Sequence, residues 1–171
     1  MLTLITGGAR SGKSRMALEL AGKAKKIAFL ATGQAIDEEM AARIQKHRLE
    51  RDERFETLEE PLNLARALSH LPEGADFLIV DCLTLWANNL MFDQGELPSY
   101  PQVDSFFQAL LTCLIPVVLV TNEVGMGVVP EHSSARFFRD LAGRINQQAA
   151  AQADRVVLMV SGLPLTIKEP S

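Results

Sequence analysis

The chain has 171 residues, 47% hydrophobic and 22% charged, enough to bury a sizeable core as one domain with the composition of a soluble globular protein. A formal net charge of −4 provides no footprint for nucleic acid or an anionic membrane, and no apolar run is long enough to cross a bilayer. The N-terminus has no basic flank before an apolar stretch. Cys82 and Cys113 form neither a C-x-x-C pair nor a zinc spacing, so a cytoplasmic protein with buried, reduced thiols is expected.

Residues 2–6 are apolar and β-branched and read as a strand, and residues 15–26 read as a helix. Between them, Gly7, Gly8, Ala9, Arg10, Ser11, Gly12, Lys13 and Ser14 fit the phosphate-loop pattern G-x-x-x-x-G-K-[ST]. Its four fixed positions co-occur by chance in roughly one chain in a hundred of this length. The strand before and the helix after make the competing reading, a plain glycine-rich turn with a solvated lysine, rarer still. The loop sets backbone N–H groups at the positive end of a helix dipole, where a phosphate is favoured. Lys13 adds a charge for the outer phosphates, and the Ser14 hydroxyl suits Mg²⁺.

A second strand over 26–31 ends in Ala31, Thr32, Gly33 and Gln34, small or polar residues that let a ligand approach backbone. Residues 36–51 carry a helical pattern, with Ile36, Met40 and Ile44 as the buried stripe. Acids stand in its first turn and Lys46, Arg48 and Arg51 in its last. His47 lies one turn from Arg43, Ile44 and Arg51, between the apolar stripe and a basic edge. It reads either as a half-buried helix C-terminal histidine or as a nucleophile or base flanked by arginines that hold phosphate oxygens.

Further apolar strands are expected over Phe77–Asp81, 117–121 and 155–160, separated mostly by helices, hence βαβ units and a mainly parallel sheet covered on both faces. Ligands in such sheets sit beyond the strands' carboxyl ends. There Asp81 reads as a magnesium carboxylate, as on a Walker-B strand, or as a chance terminal acid. Glu123, before Gly125-Met126-Gly127, reads as a second metal-shell or base carboxylate or as a capping group. Residues 92–104, with Gly95, Pro98 and Pro101, read as irregular: a surface connection, or else a lid or subunit contact. Residues 163–168 after Ser161-Gly162 suggest a hairpin that adds an antiparallel edge strand.

Several segments together resemble the bifunctional adenosylcobinamide kinase / adenosylcobinamide-phosphate guanylyltransferase family of cobalamin biosynthesis. They are GGARSGKS at 7–14, ATGQ at 31–34, DEEMAARIQKHRLER at 37–51, TLEEP at 57–61, VVLVTNEVGMGVVPE at 117–131, and most of 135–168. Residues 62–76 and 92–116 contribute little.

The resemblance implies one RecA-like P-loop domain over residues 1–171. It also implies phosphorylation of adenosylcobinamide by ATP or GTP, then transfer of GMP from GTP to adenosylcobinamide phosphate through His47. Lys13 would be the other catalytic residue. The nucleotide set would be 7–14 with Ala31, Thr32, Gly33, Arg48, Leu49, Glu50, Arg51, Glu59 and Asp81, Glu59 or Glu60 reaching guanine or ribose. Mg²⁺ would sit on Ser14 and Asp81, and three copies would associate. Phe55, where an indole is frequent, and Asp52, where proline is frequent, depart from the family pattern. The competing functions are a monofunctional small-molecule kinase with a structural His47, and a GTP-binding switch, against which stands the absence of an N-K-x-D motif.

Overall fold

The structure is a computed structural model and describes residues 1–34, 38 and 51–170. The helix expected over 36–51 therefore lies outside the described residues, apart from Glu38 and Arg51. So do His47, Arg48, Leu49 and Glu50.

In chain order the strands are β1 (Leu2–Gly7), β2 (Ile27–Ala31), β3 (Phe55–Glu59), β4 (Phe77–Asp81), β5 (Val117–Val120), β6 (Arg155–Val160) and β7 (Leu163–Lys168). They form one seven-stranded sheet in the order β3-β2-β4-β5-β1-β6-β7. All pairings are parallel except β6 with β7. Among the described residues the helices are α1 (Lys13–Leu20), α2 (Leu64–Leu68), α3 (Leu83–Gln94), α4 (Pro101–Leu111) and α5 (Ser133–Gln152).

Strand alternation divides the core. Leu4, Leu30, Leu78, Val80 and Leu119 face α2 to α5, where Trp86, Phe106 and Phe107 fill the space. Ile5, Phe29, Ile79, Val118 and Val120 face the other way, against Met16 and Ala17 of α1. Both sheet faces are thus covered, which is why β4 and β5 are apolar without alternation.

Three expectations are corrected. First, β3 was not anticipated. Its sequence, FETLE, mixes acids with apolar residues because it pairs with β2 alone along the sheet edge and stays partly exposed. Second, residues 92–104 are mostly helical: α3 runs to Gln94 and α4 begins at Pro101, leaving 95–100 irregular. Gly95, at φ 79°, ends α3, and Pro101 starts α4. Between them the buried Tyr100 donates its hydroxyl to Gly95 O at 2.6 Å and accepts from Leu97 N at 3.3 Å, pinning the turn. Third, the first helix stops at Leu20 rather than Lys26, and turns lead on to β2.

The link from β3 to α2 is held by Glu60. Its carboxylate accepts from Leu62 N at 3.1 Å and Asn63 N at 2.9 Å, and pairs with Arg66 at 2.7 Å. Burial pushes this carboxyl upward, but those two N–H groups and the guanidinium outweigh it and hold it below the usual carboxylate range. A depressed carboxylate stabilises the fold above its unfolded value and loses that contribution as pH falls through the folded value. Glu60→Ala should therefore cost about 1–3 kcal/mol at pH 7 in urea unfolding. The gap between variant and parent should narrow below about pH 4, and an equal gap at pH 3 and pH 7 would refute this role.

Candidate nucleotide site

The phosphate loop leaves β1 at Gly7 and enters α1 at Gly12. Gly7 (φ 145°) permits a close approach that no side chain would survive, since a Cβ there would lie 2.4 Å from Met159 O. Gly12 (φ 98°) takes the N-cap position of α1, with no side-chain cap and no acid in the first turn. An N-terminus without its own capping carboxylate or hydroxyl is arranged for an external anion. Gly8, Ala9 and Arg10 are exposed, whereas Ser11 and Lys13 are buried. Lys13 Nζ donates to Gly8 O at 2.6 Å, so the ammonium lies over the loop.

Ser14 Oγ donates to Asp81 Oδ2 at 3.1 Å, joining the loop to the carboxyl end of β4. A hydroxyl and a carboxylate side by side form the hard oxygen donor set that Mg²⁺ takes, so the residues fit that ion. The end of β2 is tied to the same place. Thr32 Oγ1 donates to Cys82 O at 2.8 Å and accepts from Cys82 N at 2.9 Å, and Asn89 Nδ2 donates to Thr32 O at 2.7 Å. Cys82 is no nucleophile here. Burial, with the Asp81 carboxylate beside it, pushes its thiol up to about 12. Neither cysteine is in a disulfide, and Cys113 is half-buried.

A cleft of about 300 Å³ opens beside Ser14 and Asp81, lined also by the apolar Ala17, Leu18 and Phe29 and by Arg15 and Arg51. The Arg51 guanidinium lies over the Phe29 ring, its Cζ 3.3 Å from the centroid, and donates to Thr57 Oγ1 at 3.1 Å. A guanidinium fixed by stacking and a hydrogen bond is preorganised for an anionic ligand.

The structure thus brings Gly7 to Ser14, Ala31, Thr32, Gly33, Asp81 and Arg51 to one end of the sheet. Glu59 ends β3 beside Ala31 and is exposed. Glu60, considered for the same base or ribose contact, is instead engaged in its own turn. Glu123 takes the capping role: its Oε1 accepts from Gly125 N at 2.6 Å. Asp52 pairs with Arg54 at 2.8 Å, which closes the turn before β3. Sequence reasoning missed Phe29, which looks like any core strand residue, and Asn89, which no motif marks.

Residues 3–167 match the family described as cobinamide kinase / cobinamide phosphate guanyltransferase. The chain belongs to that family. It is 43% identical over 181 residues to the bifunctional adenosylcobalamin biosynthesis protein CobU of Escherichia coli strain K12, covering 98% of this chain and 100% of that protein. Identity is 44% with CobU of Salmonella typhimurium, over 98% of this chain and 100% of the relative. It is 45% with CobP of Pseudomonas aeruginosa, over 98% of each chain. Among solved structures, an ATPase of the type III secretion system of pathogenic bacteria shares the fold at a TM-score of 0.57 and 13% identity. That match covers 96% of this chain and 56% of the ATPase. The family's P-loop sheet, with its C-terminal antiparallel strand, is therefore the fold observed. No helix among the described residues is long and apolar enough to cross a membrane.

Proposed function

We propose that this chain is a bifunctional enzyme of cobalamin nucleotide-loop assembly. It phosphorylates adenosylcobinamide with ATP or GTP and then joins GMP from GTP to the new phosphate, giving adenosylcobinamide-GDP and pyrophosphate. The observation that carries this reading is the 43–45% identity to bifunctional relatives over 98% of the chain, together with the Ser14–Asp81 hydrogen bond beside the Lys13 loop.

Phosphoryl transfer is mainly positioning and charge neutralisation. The loop amides and the α1 N-terminus hold the phosphates, and Lys13 meets charge on the outer oxygens. Ser14 and Asp81 would hold Mg²⁺, which, bound with the nucleotide, supplies further neutralising charge.

In guanylyl transfer the neutral His47 imidazole attacks the α-phosphorus of GTP. A P–N bond forms, the bond to the bridging oxygen breaks, and pyrophosphate leaves with the electron pair. A phosphate oxygen of adenosylcobinamide phosphate then attacks the same phosphorus and restores the imidazole. Dividing the reaction keeps two polyanions from meeting in one step. Arg51, already stacked on Phe29, serves the nucleotide phosphates with Arg48, while Ala31, Thr32, Gly33, Leu49, Glu50 and Glu59 complete the binding set.

One catalytic domain located in the cytoplasm belongs to the same proposal, as does self-association, as a trimer by family resemblance. Outer-strand residues Leu163, Leu165 and Ile167 are 72%, 58% and 61% exposed, an apolar row suited to a second copy. The test is product analysis with ATP, GTP, Mg²⁺ and adenosylcobinamide. Adenosylcobinamide-GDP is expected; accumulation of the phosphate alone would favour a monofunctional kinase, and turnover without any corrinoid would favour a nucleotide switch.

A further inference from the structure

The connection from β5 to α5, residues 121–132, is unusual for a surface loop. Met126, Val128 and Val129 are 79%, 95% and 59% exposed, where a turn ordinarily presents polar side chains. Both ends are anchored. On the β5 side, Thr121 and Asn122 belong to a network: Thr84 Oγ1 lies 3.0 Å from Thr121 Oγ1 and accepts from Asn122 N at 2.7 Å, and Asn146 Nδ2 donates to Asn122 O at 3.1 Å. On the α5 side, Arg136 Nη1 donates to Pro130 O at 3.0 Å and to Glu131 O at 2.5 Å. Between the anchors, the Glu123 carboxylate folds back on Gly125 N. The apolar tip is presented, not left to collapse.

Its place is set by strand order. β5 lies between β4, which ends in Asp81, and β1, which ends in the phosphate loop. The β1–β5 ladder continues past the strand, with Thr121 N donating to Ile5 O and Glu123 N to Gly7 O, each at 3.0 Å. The chain that follows Glu123 therefore leaves the sheet between Asp81 and the phosphate loop, at the carboxyl end of the strands. The corrin rim of adenosylcobinamide carries methyl groups between its amide arms, and an apolar lip there can meet those methyls.

We propose that residues 124–130 are the acceptor subsite, on which Met126, Val128 and Val129 take the rim methyl groups of adenosylcobinamide while its hydroxyl arm reaches the terminal phosphate. This rests on the function proposed above. The test is the double variant Met126→Ser/Val128→Ser. The KM for adenosylcobinamide should rise on the order of tenfold, as expected for losing part of two apolar contacts. The KM for nucleotide, the GTP-dependent labelling of the protein without acceptor, and the sedimentation mass should match the parent. The Met126→Leu/Val128→Ile variant should restore the acceptor KM. An unchanged acceptor KM would overturn the subsite while leaving the function intact. A changed mass would overturn it by assigning the loop to contact between copies. A parent protein that labels with GTP but never uses adenosylcobinamide would overturn both proposals.

Discussion

Lys13→Ala should lower the rate of adenosylcobinamide phosphorylation by about two to three orders of magnitude, the usual effect of deleting one donor aimed at developing charge. The argument is positional. Lys13 is only 7% exposed, and its Nζ is 2.6 Å from Gly8 O, so the charge is fixed over the loop where outer phosphate oxygens bind. Lys13→Arg should not restore the rate, because a planar guanidinium cannot take the place of a compact ammonium in so close a loop. Thermal unfolding should move far less than the rate does, since the loop is not part of either apolar core cluster. Steady-state phosphorylation with labelled ATP checks this; activity within a few-fold of the parent would refute the loop's role.

The second large effect is expected at His47. His47→Asn keeps a polar side chain of similar reach but cannot form the covalent phosphoramidate, so label from α-labelled GTP should disappear from the protein and adenosylcobinamide-GDP formation should stop. Phosphorylation of adenosylcobinamide should survive within a few-fold. That asymmetry would separate the two half-reactions, assigning the first to Lys13 and the second to His47. The monofunctional alternative predicts no acid-labile protein label in either protein.

Much of the nucleotide site was legible in the sequence because its constraints are local. A phosphate loop needs glycine at Gly7 and Gly12 for backbone reasons that act within a few residues, and an apolar strand ending in Asp81 is readable as it stands. What escaped depends on partners distant in the chain. β3 is an edge strand whose acids leave no alternation to detect, and its existence is decided by pairing with β2. Asn89 matters only because folding carries it to Thr32 O and Pro61 O. Phe29 becomes a platform only once Arg51 arrives over it. The 92–104 segment misled in the opposite direction. Gly95, Pro98 and Pro101 look like a long loop, yet Gly95 and Pro101 are the end of one helix and the start of the next. The role given to His47 came from resemblance, since the helical pattern of 36–51 read alone favours a structural histidine.

The most direct measurement is a single-turnover chase. Protein labelled with α-labelled GTP is freed of nucleotide and mixed with adenosylcobinamide phosphate. The label should leave the protein and appear, mole for mole, in adenosylcobinamide-GDP. Label that stays on the protein while product forms only when fresh GTP is added would contradict a guanylylated histidine as the intermediate.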